Sequence, residues 1–451
     1  LFQKILNSLF GHRRHRIPLN LETLEIQDTP SFDTLSISLV QGNGYHCTPL
    51  VKAGDAVTAG QPLAARSSGG VMASPVEGEV TAIKAVPDIR GARNAESILL
   101  KPAENSTSDA FPSMDPETES MAHLIDRINE AGVVTDALRP KPLMDVIGPA
   151  SGGTVHKVVI LAVDREPEVC SALQLFRERS GDVPAAAKLV AKIAGAGRVL
   201  LALPDSMEKQ AAGPVGSDLE ILSIPPEYPE CLEPLVAARA GGGDGVRVIA
   251  LECALAALDA VRSGKVQDRK VVTVIGANGK ALGNFRVPIG TRISDLFARL
   301  GLEPGEKDKV VAGGPMRGFA QYSLEGAIDA GVDALMWIPA ESIIDWSDEP
   351  CVNSGECVEA CPVNLQVHLI GRYAEFGLFD RTEDLGIFNC IECGLCAAAC
   401  TGRRPLVQLI QLAKEELRKQ KAMQALADSE AAGEEAADMA EQEEQAAVTN
   451  E

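Results

Sequence analysis

Cys390-Ile-Glu-Cys393-Gly394-Leu-Cys396-Ala-Ala-Ala-Cys400 is the stretch that decides how this chain is read. Its C-x2-C-x2-C-x3-C spacing lets three thiolates each take one iron of a cubane, while the fourth points away to a neighbouring cluster. Gly394 suits a tight loop close to the sulfides. Zinc sites usually take two separated Cys pairs, not three Cys at consecutive x2 spacings. Of the eleven cysteines, seven fall between Cys351 and Cys400, and Cys47, Cys170, Cys231 and Cys253 are scattered. An odd, dense, regular group is a poor disulfide framework and a good metal-binding one.

An equivalent frame precedes it: Cys351-Val-Asn-Ser354-Gly355-Glu-Cys357-Val-Glu-Ala-Cys361-Pro362. Crossed ligation assigns Cys351, Cys357 and Cys400 to one cluster, A, and Cys361, Cys390, Cys393 and Cys396 to the other, B. Cluster B then has a full set of thiolates. Cluster A has Ser354 where a cysteine is expected. Ser354 could ligate through oxygen, water could take its place, or the iron could be absent. Hydroxyl is the harder, weaker iron ligand, which favours [3Fe-4S] or a labile cluster over [4Fe-4S] at A. Between the groups, Leu365, Leu369, Tyr373 and Phe376 have helical spacing, and Pro405 to Lys419 reads as an amphipathic closing helix.

The rest of the chain fixes the class. Its 451 residues, 45% apolar and 23% charged, are enough for about three domains with real cores. The net charge of −21 argues against nucleic-acid binding. Nine acidic and no basic residues lie between Ala422 and Glu451, which reads as a solvated acidic tail. No apolar run approaches the roughly 20 residues of a membrane span, so a soluble or peripheral protein is expected. Phe2, Ile5, Leu6, Leu9 and Phe10 precede a basic run, His12 to Arg16. That order suits a docked helix or a membrane-surface anchor and is the reverse of a secretory signal.

Six segments follow. Residues 1–20 are the amphipathic basic segment. Residues 21–115 are a barrel-sandwich hybrid domain, similar to lipoyl and biotinyl carriers but without a swinging-arm Lys between Arg66 and Ser74, and its linker, with Pro87 to Asp115 read as loop-rich. Residues 116–268 are an α/β core, in which Ala237 to Gly245 reads as a loop and Val248 to Ser263 as a helix. Residues 269–345 are a β-grasp (SLBB-like) domain with an Asn278-Gly279 hairpin turn and a helix capped by Ser294. Residues 346–420 are a helical dicluster ferredoxin-like module. Residues 421–451 are the disordered tail. The fold class is therefore multidomain α/β.

This order resembles the RnfC family, a component of the Rnf ion-translocating oxidoreductase complex, over roughly residues 10–420. The most specific stretches are Gly283-Asn-Phe-Arg-Val-Pro-Ile-Gly290, Gly313-Gly-Pro-Met-Arg-Gly318, Asn389-Cys-Ile-Glu-Cys-Gly394 and Arg404-Pro-Leu-Val-Gln-Leu-Ile410. The resemblance implies a peripheral subunit on the cytoplasmic face of a bacterial inner membrane, partnered by other Rnf-type membrane subunits. Such a subunit exchanges electrons with NADH through FMN and two iron–sulfur clusters. This chain departs from the family where FMN and NADH should bind. The family's Gly-x-Gly-Gly-x-Gly-Phe-Pro loop is here Thr135-Asp-Ala-Leu-Arg-Pro-Lys-Pro142. Its Asn-x-x-Glu-Cys-Glu-Pro stretch is Leu161-Ala-Val-Asp164-Arg165-Glu166-Pro167, and a third Gly-rich segment is Tyr228-Pro-Glu-Cys-Leu-Glu-Pro234. Bulky or φ-fixed residues block the close approach of backbone to phosphate.

Nicotinamide oxidation is therefore expected to be lost or greatly weakened. Arg139, Lys141 and Arg165 are read as solvated loop residues more than as a phosphate site. The expected role is an electron relay whose donor is a cytochrome or ferredoxin instead of NADH. A working NADH:acceptor oxidoreductase with a redrawn flavin site and a scaffold with structural clusters are the alternatives.

Overall fold

The computed structural model describes residues 15–41, 45–66, 71–91, 93–104, 108–135, 139–148, 153–207, 219–425 and 427. They fall into two compact bodies, one spanning Arg16–Ile343, the other taking in the residues from Ile344 on together with His15.

The larger body begins with two four-stranded sheets. One has the order Leu35–Ser38, Asn94–Pro102, Gly78–Pro87, Ala56–Val57, and the other Val40–Gln41, Tyr45–Pro49, Pro62–Arg66, Val71–Ala73. Short strands with alternating burial close on Leu35, Ile37, Leu63, Val80, Ile98 and Leu100. The stretch after Pro87 is not the linker expected: Asn94–Pro102 is the central partner of both Leu35–Ser38 and Gly78–Pro87. Its Glu-Ser-Ile-Leu-Leu pattern alternates only loosely, which hides the strand.

Next comes a parallel sheet with spatial order Glu220–Ile224, Arg198–Pro204, Lys157–Leu161, Val246–Ala250. Its strands are apolar runs because helices cover them. Ser171–Arg179, Val183–Ala194, Leu251–Arg262 and Met121–Glu130 pack there, the last capped by Ser120, whose hydroxyl accepts from His123 N. Two expectations are corrected. Val248 to Ala250 are strand, and the helix starts only at Leu251. Ala237 to Arg239 end a helix, Glu233–Arg239, before the glycine loop begins. Ala-rich and β-branched runs in series blur such boundaries.

A six-stranded mixed sheet follows, in the order Phe319–Ala320, Lys309–Ala312, Ala334–Ile338, Arg269–Ile275, Ala281–Pro288, Ile26–Asp28. The Asn278-Gly279 turn stands where the sequence puts it, with Gly279 at φ 73° and Asn278 Oδ1 accepting from Lys280 N. Ser294 does not cap its helix. Ile293–Arg299 starts after Arg292, and the Ser294 hydroxyl donates to Glu325. Two N-terminal segments also leave their expected places: Ile17–Pro18 pairs with Glu227–Tyr228, and Ile26–Asp28 forms the sixth strand here.

The smaller body is helical: Glu356–Glu359, Val367–Glu375, Phe379–Asp384, Leu395–Ala398 and a long helix over 406–425. Leu365, Val367, Ile370, Ala374, Leu406, Ile410, Ala413 and Leu417 are its core. Phe376, expected on the buried stripe, is 70% exposed, because the helix begins at Val367 and buries Val367, Ile370 and Ala374. Residues 421–425, expected in the tail, continue the helix. The rest of the tail except residue 427, like residues 1–14 of the amphipathic segment, lies outside the described residues. Among the described residues no helix is long and apolar enough to cross a membrane.

Candidate metal centres

The two cysteine loops have one design. Two residues after Cys351 and Cys390 stand Asn353 and Glu392, both in the left-handed region at φ 57° and 54°. Each turns its N–H toward the sulfur of that cysteine, 3.4 Å away. Gly355 and Gly394, also left-handed, then open the one-turn helices that carry Cys357 and Cys396. Three residues after Cys361 and Cys400 stand Asn364 and Arg403, left-handed again at φ 56° and 48°. The Cys361 sulfur accepts from Leu365 N at 3.4 Å and the Cys400 sulfur from Arg404 N at 3.5 Å. Left-handed non-glycine residues are costly, so their repetition at matched positions marks loops shaped around the sulfurs.

These loops gather the cysteines into two sets. Cys351, Cys357 and Cys400 line one cavity with Ser354, and Cys361, Cys390, Cys393 and Cys396 line another. They are the same two sets that crossed ligation assigns from the sequence. The cavities differ in size: about 940 Å³ at A and about 310 Å³ at B, open mouths included. Ser354 is held by a hydrogen bond from the Thr401 hydroxyl at 3.3 Å.

The donor chemistry fits iron–sulfur clusters. All eleven cysteines are free thiols. Among the described residues no three cysteine sulfurs lie within 4.8 Å of one another, whereas thiolates on one tetrahedral zinc at ~2.3 Å would stand about 3.8 Å apart. A cubane spreads its thiolates, one per iron. Burial pushes the Cys357 thiol up to about 11, with Cys400 and Cys351 adding to it. Burial likewise takes Cys393 to about 11 and raises Cys396 well above the ordinary thiol range. The N–H···S bonds act the other way, favouring the thiolate that a metal requires. Beside B, Lys414 from the long helix donates to the Cys390 carbonyl at 2.7 Å and to Glu392 at 2.8 Å.

In the larger body, the parallel sheet reverses its strand order between Lys157–Leu161 and Val246–Ala250. Ligands of such sheets bind outside the carboxyl ends of the strands at that point. Here charged side chains fill it. Arg165, expected in solvent or on a phosphate, is 6% exposed and pairs with Glu233 at 2.9 Å and Asp333 at 2.6 Å. Lys270 pairs with Glu252 and Asp333. Asp164 caps the helix Ser171–Arg179, accepting from Ser171 N and Ala172 N. Glu166, fully buried, accepts from Arg317 at 2.7 Å and Met316 N at 2.8 Å. It lies so close over Gly314 that a Cβ there would stand 2.5 Å from it.

Burial alone would raise Glu233 and Asp333, but Arg165 foremost among their cations outweighs it and holds both below the ordinary carboxylate range. Burial wins at Glu166 and Asp164, which are raised. In the loop before, Thr135 N donates to Lys141 O and Lys141 N to the Thr135 hydroxyl. Residues 136–138 lie outside the described ones. Carboxylates outnumber cations at the switch point, and no run of glycine amides faces it among the described residues, so these residues do not fit a flavin phosphate.

Sequence reasoning missed three features: the Glu166–Arg317 pair, Lys414, and His368. The last follows the first cysteine group on Val367–Glu375 and lines cavity A, where its Nδ1 is buried without a hydrogen-bond partner. A lone histidine just beyond a cysteine set with one member replaced was the available signal.

The fold and the two sulfur-lined cavities define a dicluster iron–sulfur protein with a barrel-sandwich domain at its N-terminal end. Residues 344–401 match the family model of a 4Fe-4S dicluster domain, and residues 19–105 match that of the RnfC barrel sandwich hybrid domain. The chain is 25% identical over 412 residues to the RnfC-type component of the proton-translocating ferredoxin:NAD(+) oxidoreductase complex of Clostridium ljungdahlii, covering 87% of this chain and 90% of that one. It is 29% identical to the corresponding component of the ion-translocating oxidoreductase complex of Methanosarcina acetivorans, covering 89% and 96%. The counterpart from Pseudomonas aeruginosa is 28% identical across 90% of this chain, which spans only 55% of that longer protein. Together the two domain matches and these relatives make the chain a homologue of the RnfC component of Rnf-type complexes.

Proposed function

We propose that this chain is the iron–sulfur relay subunit of an Rnf-type ion-translocating oxidoreductase complex, passing single electrons to or from the membrane subunits. The carrying observation is the pair of cavities, each lined by the sulfur set that crossed ligation requires. Cys361, Cys390, Cys393 and Cys396 hold a [4Fe-4S] cluster at B, and Cys351, Cys357 and Cys400 hold the cluster at A. When bound, the clusters supply reversible one-electron chemistry. The protein positions them, donates N–H···S bonds and keeps them partly out of water. The barrel-sandwich and six-stranded domains, the latter read as an SLBB-like β-grasp, serve for assembly with the other Rnf-type subunits on the cytoplasmic face of the membrane.

The filled switch point supports the loss of FMN and NADH handling, which leaves a ferredoxin or cytochrome as the exchanging partner. The test is made on the full chain, reconstituted anaerobically with iron and sulfide. About eight irons per chain are expected if both clusters have four. Cys396→Ser should remove the B signal and leave A, and Cys357→Ser should do the reverse. Loss of both signals in each variant, or of neither, contradicts the ligand assignment.

A further inference from the structure

We infer that His368 supplies the fourth protein ligand to cluster A, in place of the cysteine that Ser354 replaces. The inference rests on the ligand sets proposed above and adds a residue to one of them. Cluster A has three cysteines on its cavity wall and Ser354 at the remaining position of the motif. The Ser354 oxygen is already engaged by the Thr401 hydroxyl at 3.3 Å. His368 lines the same cavity, and its Nδ1 is shut off from solvent with no hydrogen-bond partner. A buried ring nitrogen left unpaired is unfavourable unless something completes it. A lone pair facing a space meant for iron is completed by iron.

The chemistry suits the assignment. Neutral imidazole is a common iron ligand, softer than a hydroxyl and better matched to a cluster iron. Histidine can replace cysteine on a cluster iron, and where it does the reduction potential rises, because a neutral donor stabilises the oxidised state less than a thiolate. The cavity has the room for it: A is about 940 Å³ against about 310 Å³ at B, where four cysteines close the site. His368 stands in the first turn of Val367–Glu375, the helix that directly follows the first cysteine loop. The rigid helix fixes its position against that loop. Two clusters built on one repeated frame would thereby differ in ligation, giving A the higher potential and setting a downhill direction between them.

The test is spectroscopic and uses the intact chain, purified and reconstituted anaerobically. Pulsed EPR of the reduced protein should show the hyperfine coupling of one directly bound nitrogen on cluster A. His368→Ala should abolish that coupling, lower the iron content by about one per chain, and give the oxidised-state signal of a three-iron cluster, while cluster B stays intact as the internal control for folding. Ser354→Ala should change none of these. Adding Ser354→Cys to His368→Ala should restore the lost iron without the nitrogen coupling. Cluster A present without nitrogen coupling, or loss of its fourth iron in Ser354→Ala but not in His368→Ala, overturns the inference and leaves the cysteine assignment standing. Absence of any cluster at Cys351, Cys357 and Cys400 overturns the assignment itself.

Discussion

Single residues in the larger body carry unusual weight because they are buried and polar. Asn284 is fully buried, and its amide donates to the carbonyls of Leu24 and Cys170 while its oxygen accepts from Thr273. Asn284→Ala strands all three partners at once. A loss of about 1–3 kcal/mol in unfolding free energy is expected, with cluster spectra unchanged, as chemical denaturation and visible absorbance would report. Arg165→Met leaves Glu233 and Asp333 without their principal cation. At pH 7 the cost should be about 3–5 kcal/mol. Both carboxyls titrate below their ordinary range in the native chain, so their contribution is present above about pH 4 and is lost as pH falls through the lowered values. The gap between variant and native protein should therefore narrow in acid. A gap that stays constant down to about pH 3 would contradict the pairing as the source of stability.

Elements explain what the cysteine spacing alone does not. The helix over 406–425 closes the smaller body, and Lys414 on it is 5% exposed, with its ammonium on the Cys390 carbonyl and Glu392. Reduction adds negative charge to a cluster, and a nearby cation favours that state. Lys414→Met, similar in length, should lower the reduction potential of cluster B and leave A nearly unmoved in an EPR-monitored redox titration. An unchanged or raised potential at B would show that Glu392 already cancels the charge. The helix Val367–Glu375 teaches a second lesson. Its apolar residues admit two stripes, and the one through Tyr373 and Phe376 is the more hydrophobic on paper. The chain buries Val367, Ile370 and Ala374 instead, because Gly371 and Ala374 let the closing helix approach, with Leu406 2.9 Å from where a Gly371 Cβ would stand. Side-chain size, not hydrophobicity, chose the face.

Across the whole molecule, the legible parts were those written in short range. Cysteine spacing located both sulfur sets, apolar runs located the parallel strands, and Asn278-Gly279 located a hairpin. Long-range pairing was not legible. Nothing local announces that Ile26–Asp28 will join a sheet with Asn284–Arg286, or that Arg165 will find Asp333 rather than water. His368 escaped for the same reason, since its neighbours in space come from three cysteine-bearing segments. The loss of glycines at the flavin loops was readable, and the ion pairs that fill the switch point give that loss a physical form.

The central claim is a relay with two clusters and no entry for nicotinamide. It is tested most directly by reconstituting the full chain anaerobically with iron, sulfide and FMN, adding NADH, and following the visible cluster absorbance, with dithionite as the control. The account predicts no bleaching with NADH, full bleaching with dithionite, and no flavin retained after gel filtration. Rapid bleaching by NADH with retained flavin would contradict it and make the chain an NADH-oxidising subunit.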